Sequence, residues 1–257
     1  MFSPAGAEVS IIPVLQGEGG QPLDESQLPD SLPILALRNA VLFPGAVCPI
    51  TIGREKSIKL IQDAEKSNSF IGAVPQNDLS VEDPTRQDLY KYGTVAKIVK
   101  TLEMPDGTLT AILQGYMRFE LETIFEYQPY LIGRVNYLRD LIPDSTDNSV
   151  TMMGEALKDK AMTVIRLSSF APKEAAAAMK SIDSFEFLVN FVATTIEVEN
   201  FMDKVKLLQW GDLKKRAMEL LQVLDTQVEL LKIKQDINQK VKTEIDQQQR
   251  EYYLNNQ

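Results

Sequence analysis

The sequence predicts an α+β protein in which a β-rich domain is followed by a small helical bundle and a long C-terminal helix. Three observations predict it. Runs of apolar, β-branched and aromatic residues, cut by turn residues, crowd positions 32–140. Beyond position 150 those runs give way to apolar residues three and four apart, the helical spacing. From Asp203 to the end of the 203–254 stretch there is no proline and a single glycine, Gly211, so little there interrupts a helix.

Taken in order, residues 1–31 are rich in Gly, Pro, Ser and Gln and poor in large apolar groups. Such a segment gains too little from burial to offset the entropy of ordering, and it is expected to be a flexible acidic tail. Within it, Ile11-Ile12-Pro13-Val14-Leu15 could dock on a neighbour.

The β-rich domain spans 32–140. Residues 32–37 read as a buried strand, 38–45 as a loop and 46–52 as a second strand. Pro44-Gly45 marks the turn, because proline presets φ and glycine accepts positive φ. Residues 54–67 read as a helix with Ile58, Ile61 and Ala64 on one face. Residues 70–74 form a short apolar strand. The stretches 93–102 and 108–113 flank Met104-Pro105-Asp106-Gly107, and Asp-Gly between two β-rich runs signals a hairpin. Strands at 118–125 and 130–138 follow, separated by Gln128-Pro129. The sheet is expected to be largely antiparallel, either open or closed into a barrel.

Residues 143–149 have linker composition. Helices are expected at 151–167, 172–180 and 184–199, with Pro172 suited to a first turn and Ser184 to an N-cap. They make up a bundle over 150–202. Residues 203–257 read as the long helix, breaking near Trp210-Gly211-Asp212. Its apolar stripe runs from Leu213, Ala217, Leu220 and Leu224 to Ile233, Ile237, Val241 and Ile245. The later part is narrow and set among charged and amide residues, which favours a projecting or coiled-coil helix.

The chain has 257 residues, a formal charge of −9 and no histidine. An acidic balance is a poor basis for nucleic-acid binding, which needs basic groups to displace counterions. Five of the acidic residues lie in 1–31, which holds no Lys or Arg. The one cysteine, Cys48, sits in an apolar run and reads as a buried small hydrophobe in a reducing compartment. There is no signal peptide and no apolar run long enough to span a membrane, so a cytoplasmic protein is expected.

The usual catalytic groups are missing. Without histidine there is no His-based triad or His metal site, and one cysteine cannot build a thiolate zinc site. No GxxxxGK[ST], GxSxG or GxGxxG segment occurs. Glu120 and Glu122 read as a solvated face, Ser168-Ser169 as a helix end, and Gly17-Glu18-Gly19-Gly20 as part of the tail. No catalytic, cofactor-binding or metal-binding residue is therefore assigned. Met152, Met153, Met162, Met179, Phe185 and Phe187 read first as bundle core and second as an adaptable surface for unfolded chains. Phe43, beside Pro-Gly, reads either as a plug closing the sheet or as an exposed contact.

Four segments carry a family resemblance. "LPILALRNAVLFPGAVCPI" at 32–50 resembles the opening strand-loop-strand of the N-terminal domain of Lon, the ATP-dependent protease. "YGTVAKI" at 92–98 and "GYMRFEL" at 115–121 are similar to two further strands of that family, and "QREYYLNNQ" at 249–257 to a helix. Asn255 and Asn256 stand where many members carry a charge. Order and spacing together make the resemblance specific over about residues 30–257.

The resemblance implies a PUA-like β domain, a helical bundle and a long helix leading to an AAA+ ATPase and a Ser/Lys peptidase, neither of which these residues contain. The chain is then the amino-terminal, non-catalytic piece of a homohexameric, ATP- and magnesium-using serine protease of protein quality control. Its implied partners are unfolded, damaged or tagged proteins and other Lon subunits, with no membrane and no nucleic acid. On that footing Leu42, Phe43, Pro44, Met152 and Met153 are the candidate substrate contacts. Two alternatives stand beside it. One is an RNA-binding PUA-like module using Lys97, Lys100, Arg118 and Arg134, and the other is a purely structural oligomerisation element using the long helix.

Overall fold

The structure is a computed structural model that describes residues 23–144, 146–168 and 173–255. The β-rich part contains strands β1 (Ser31–Leu37), β2 (Val47–Ile52), β3 (Ile71–Pro75), β4 (Tyr92–Glu103), β5 (Leu109–Glu126) and β6 (Ile132–Leu138). Helix α1 (Glu55–Ser67) lies between β2 and β3 and ends on Asn68 in the left-handed region at φ 49°. The sheet order is β2-β5-β4-β3-β1-β6, and β6 also pairs with β5, so the sheet closes into a barrel. β1 and β3 are parallel and every other pairing is antiparallel.

Closure depends on the length of β5. Its first half pairs with β2 along one edge, its second half pairs with β6, and β4 runs along the other edge. The sequence suggests two strands here, at 108–113 and 118–125, but the chain forms one. Gly115 lies between them as a crossing point and not as a break. The loop before β2 passes over it, with Gly115 N–H donating to Ala46 O at 2.9 Å and Gly45 N–H donating to Gly115 O at 3.0 Å. A Cβ at position 115 would lie 2.5 Å from Phe43 O, so only glycine admits the crossing.

The acidic tail ends earlier than its composition suggests. Residues 25–27 form a short 3-10 turn capped by Asp24. Leu28 packs against the barrel's inner cluster, and Tyr137 Oη donates to Pro29 O at 2.5 Å. An apolar anchor and a carbonyl partner hold residues 24–30 to the barrel. Residues 1–22, including Ile11 to Leu15, lie outside the described residues.

The bundle comprises α2 (Asn148–Leu167), α3 (Lys173–Lys180), α4 (Phe185–Thr195) and α5 (Phe201–Gln209), with α6 (Leu213–Asn255) passing through it. Asp147 caps α2 by accepting from Ser149 N–H, and Ser184 caps α4 by accepting from Phe187 N–H. α4 stops at Thr195, short of the 199 suggested by sequence. The break at Trp210–Asp212 has a tertiary cause. The chain leaving the barrel pairs with it, Leu141 N–H donating to Gly211 O at 2.8 Å and Leu213 N–H to Leu141 O at 3.2 Å.

Leu213, Ala217, Leu220 and Leu224 are buried, so the start of α6 is a member of the bundle. Its later stripe, Ile233, Ile237, Val241 and Ile245, is exposed. One apolar cluster runs without interruption from the barrel (Leu35, Phe43, Leu113) into the bundle (Leu157, Val189, Leu220), and a second fills the barrel around Phe119 and Val95.

Candidate functional site

The loop between β1 and β2 does not form a surface contact. Leu42, Phe43 and Pro44 are all buried, Phe43 completely. Thr94 Oγ1 donates to Leu42 O at 2.6 Å, and the Phe187 ring of α4 packs at Gly45, which sits at φ +74°. The large apolar side chains are worth more inside than in water, and the loop is the wedge that joins barrel to bundle. Of the two readings of Phe43, the plug is the one observed. These three residues are thereby corrected from candidate contacts to structural ones.

The two methionines separate. Met153 is half-buried against the main cluster, whereas Met152 is 69% exposed. Met162, Met179, Phe185 and Phe187 all belong to or pack against the core, as their first reading has it. Met152 shares a helical turn with Thr151, Gly154 and Glu155, which line a groove of about 450 Å³. The opposite wall comes from Ile182, Asp183, Phe185, Glu186 and Leu188, and the mouth from Ile142 and Pro143.

The groove is held open by its flanks. Lys158 Nζ donates to Ile182 O at 2.6 Å, tying α2 to the turn before α4. Asp147 holds the start of α2 to the start of α6 through Lys214 at 2.7 Å. That lysine and the Ser149 backbone and hydroxyl bring the Asp147 carboxyl down to about 2. Leu141 and Ile142, which lead into the groove, are 69% and 62% exposed. Exposed large aliphatics beside a groove mark a surface for apolar partners. Sequence reasoning missed this pair, although Leu-Ile between an aspartate and a proline in a linker was the available signal.

Behind the groove lies a buried ionic group. Arg118 of β5 donates from Nε to Asp140 Oδ1 at 2.6 Å and from Nη1 to Leu208 O at 3.0 Å. Arg216 of α6 places Nη2 2.7 Å from Asp140 Oδ2, and it also donates to Trp210 O and Asn190 Oδ1. Burial works against the Arg216 charge and Asp140 offsets it. Glu186 is half-buried nearby, its carboxyl pushed up by burial and then by Asp140, with Arg216 opposing. With Arg118 only 3% exposed and paired, the basic patch of Lys97, Lys100, Arg118 and Arg134 loses a member.

Two other features are not sites of this kind. The depression beside α1 is crossed by the Lys56–Asp83 ion pair at 2.8 Å and by the Arg54–Gln76 hydrogen bond at 2.6 Å. Cys48 is buried and its thiol is pushed up to about 11 by burial, which makes it unreactive. No cluster of three or more His, Cys, Asp or Glu able to hold a metal occurs among the described residues. No GxxxxGK[ST] segment occurs in the sequence.

Residues 31–226 match the family model of the ATP-dependent protease La (LON) substrate-binding domain. The chain belongs to the Lon substrate-binding domain family. It is 42% identical over 251 residues to a Lon protease of Flavobacterium johnsoniae, covering 98% of this chain and 31% of that protein. It is 40% identical over 249 residues to one of Cytophaga hutchinsonii, covering 97% and 30%. The chain thus spans about a third of the length of the curated relatives it matches. Among solved structures, the N-terminal domain of Mycobacterium avium complex Lon protease superposes with a TM-score of 0.59 at 18% identity, covering 76% of this chain and 98% of that one. The Xanthomonas campestris Lon N-terminal domain protein gives 0.54 at 20% identity, covering 74% and 96%. At these identities the likeness concerns the fold, and the α+β Lon N-terminal fold is the one observed. No helix among the described residues is long and apolar enough to cross a membrane.

Proposed function

We propose that this chain is the non-catalytic amino-terminal module of a Lon-type ATP-dependent protease, and that it recruits unfolded, damaged or tagged protein segments through the groove between α2 and α4. Peptide-bond cleavage and the use of ATP and magnesium fall to other parts of the parent protein, acting in the cytoplasm. The observation that carries this reading is the exposure of Ile142 in a groove walled by Phe185 and Leu188, with exposed Leu141 next to it in the chain and exposed Met152 on the same turn of α2. A shallow apolar groove binds one segment weakly, and several copies in a ring raise the effective concentration of sites. The test is a methyl NMR titration with a permanently unfolded protein. Signals of Ile142, Val150 and Leu188 should move with saturation, and signals confined to the barrel should not. Movement confined to the barrel sinks the proposal.

The distal half of α6 favours an additional role in assembly with other Lon subunits. Ile233, Ile237, Val241 and Ile245 lie four residues apart, each about half exposed, on a helix that has left the bundle. Sedimentation of the chain with and without residues 232–257 separates this from recruitment. A monomer in both forms removes the assembly role and leaves the groove untouched.

A further inference from the structure

We infer that the groove selects apolar segments flanked by lysine or arginine. The inference rests on the reading above and adds the charge of the occupant to it. Three carboxylates line the groove, those of Glu155, Asp183 and Glu186. Among the described residues none of the three takes part in an ion pair or a side-chain hydrogen bond. The one lining cation, Lys158, is committed to Ile182 O at 2.6 Å. The lining therefore offers an apolar wall with unspent negative charge beside it.

Each carboxylate has a distinct position. Glu155 and Asp183 are exposed, on α2 and on the turn before α4, and can meet a flexible basic side chain from opposite walls. Glu186 is deeper, beside Asp140, and its burial and that like charge disfavour ionisation, which Arg216 only partly relieves. A cation brought by the occupant improves the surroundings of all three. An acidic occupant meets repulsion at each of them, in a chain whose formal charge is already −9.

The experiment uses the whole chain and short labelled peptides that share an apolar core of Leu and Phe, flanked on both sides by Lys, by Ser or by Glu. Fluorescence anisotropy should rank them Lys, Ser, Glu, with roughly 3- to 10-fold between the extremes, the size expected of a few partly exposed charge pairs. The double variant Glu155→Gln, Asp183→Asn, altered only at exposed positions, should shrink that ratio to below about 2-fold, as should about 1 M salt. Equal affinity for the three peptides overturns the charge selection while leaving the groove reading intact. Equal binding by a Lys-flanked peptide without the apolar core overturns it too, since attraction is then general. If no peptide binds, or binding leaves the Val150 and Leu188 methyl signals unmoved, the groove reading itself fails and this inference with it.

Discussion

Asp140 Oδ2 lies 2.7 Å from Arg216 Nη2, and this pair, with Arg118 on the other carboxylate oxygen at 2.6 Å, joins the end of the barrel to the root of α6. The three side chains are 8%, 0% and 3% exposed. Removing the aspartate leaves two buried guanidinium groups without their direct ion-pair partner. Asp140→Ala is therefore expected to cost about 3–5 kcal/mol in urea unfolding, the range for breaking a buried pair from one side. A loss under about 1 kcal/mol would mean water reaches this cluster.

Two glycine substitutions should differ in sign. At Gly154, inside α2, an added Cβ meets Leu188 Cδ2 at 3.7 Å and Phe185 Cδ2 at 3.8 Å, ordinary contact distances. Gly154→Ala should stabilise by about 0.5–1 kcal/mol through helix propensity. At Gly211 the added Cβ would lie 2.6 Å from Arg118 Nη2, so Gly211→Ala must displace a guanidinium already held by Asp140 and Leu208 O. Thermal melts should show Tm up for the first and down for the second.

Glu186 gives a pH signature. Its folded-state carboxyl is raised above the ordinary value of 4.5, chiefly by burial and then by Asp140. Stability tied to the neutral acid is fully present below that ordinary value and lost as pH rises through the raised one. Glu186→Gln should therefore be more stable than the parent chain at neutral pH, with the advantage fading below pH 4.5. Denaturant midpoints at several pH values read this directly, and parallel curves for the two proteins would contradict it.

Asp147 behaves in the opposite sense. Its carboxyl is lowered from 3.8 to about 2, first by Lys214 and then by the Ser149 hydroxyl and backbone. The stability it supplies is present above 3.8 and lost as pH falls towards 2. Asp147→Asn keeps an N-cap acceptor and loses the ion pair, whereas Asp147→Ala loses both. The expected order of Tm at neutral pH is parent chain, then Asn, then Ala, with parent and Asn converging in acid while Ala, lacking the cap acceptor, stays below both.

Phe43 and Met152, both candidate contacts by sequence, should respond differently to truncation. Phe43→Ala empties a fully buried site and should cost about 3–5 kcal/mol. Met152→Ala changes a side chain that is 69% exposed and should leave stability within about 0.5 kcal/mol. It should weaken binding of an unfolded protein by a measurable factor, and unchanged affinity would exclude Met152 from the contact surface.

Local chemistry made much of this fold legible. The Asp106-Gly107 hairpin appears with Gly107 at φ +83° and Thr108 N–H donating to Asp106 Oδ1 at 2.9 Å. The Ser184 cap, the turn at Gly45 and the helix break at Gly211 rest on equally local preferences. Barrel closure was left open, because it depends on β6, after turning back along β5, also meeting β1 from the far end of the domain's sequence. The continuity of β5 between 113 and 118 was not legible, because the loop that crosses Gly115 lies some seventy residues away in sequence. The groove was only half legible. Met152 stood out by type, but the burial of Leu42 and Phe43 and the exposure of Leu141 and Ile142 follow from which surfaces the bundle covers. The Arg118–Asp140–Arg216 cluster has no sequence signature, since its members come from three elements.

The first turns of α6 are clamped in the bundle and its last turns are free. Mechanically it is a cantilever. Beyond Gln235, which still donates to Leu167 O, residues 236–255 project about 30 Å at 1.5 Å per residue, so a 10° rocking where the helix leaves the bundle sweeps the tip through about 5 Å. Small adjustments at that exit are thus magnified into ångström-scale travel at the far end, with no bending of the rod itself.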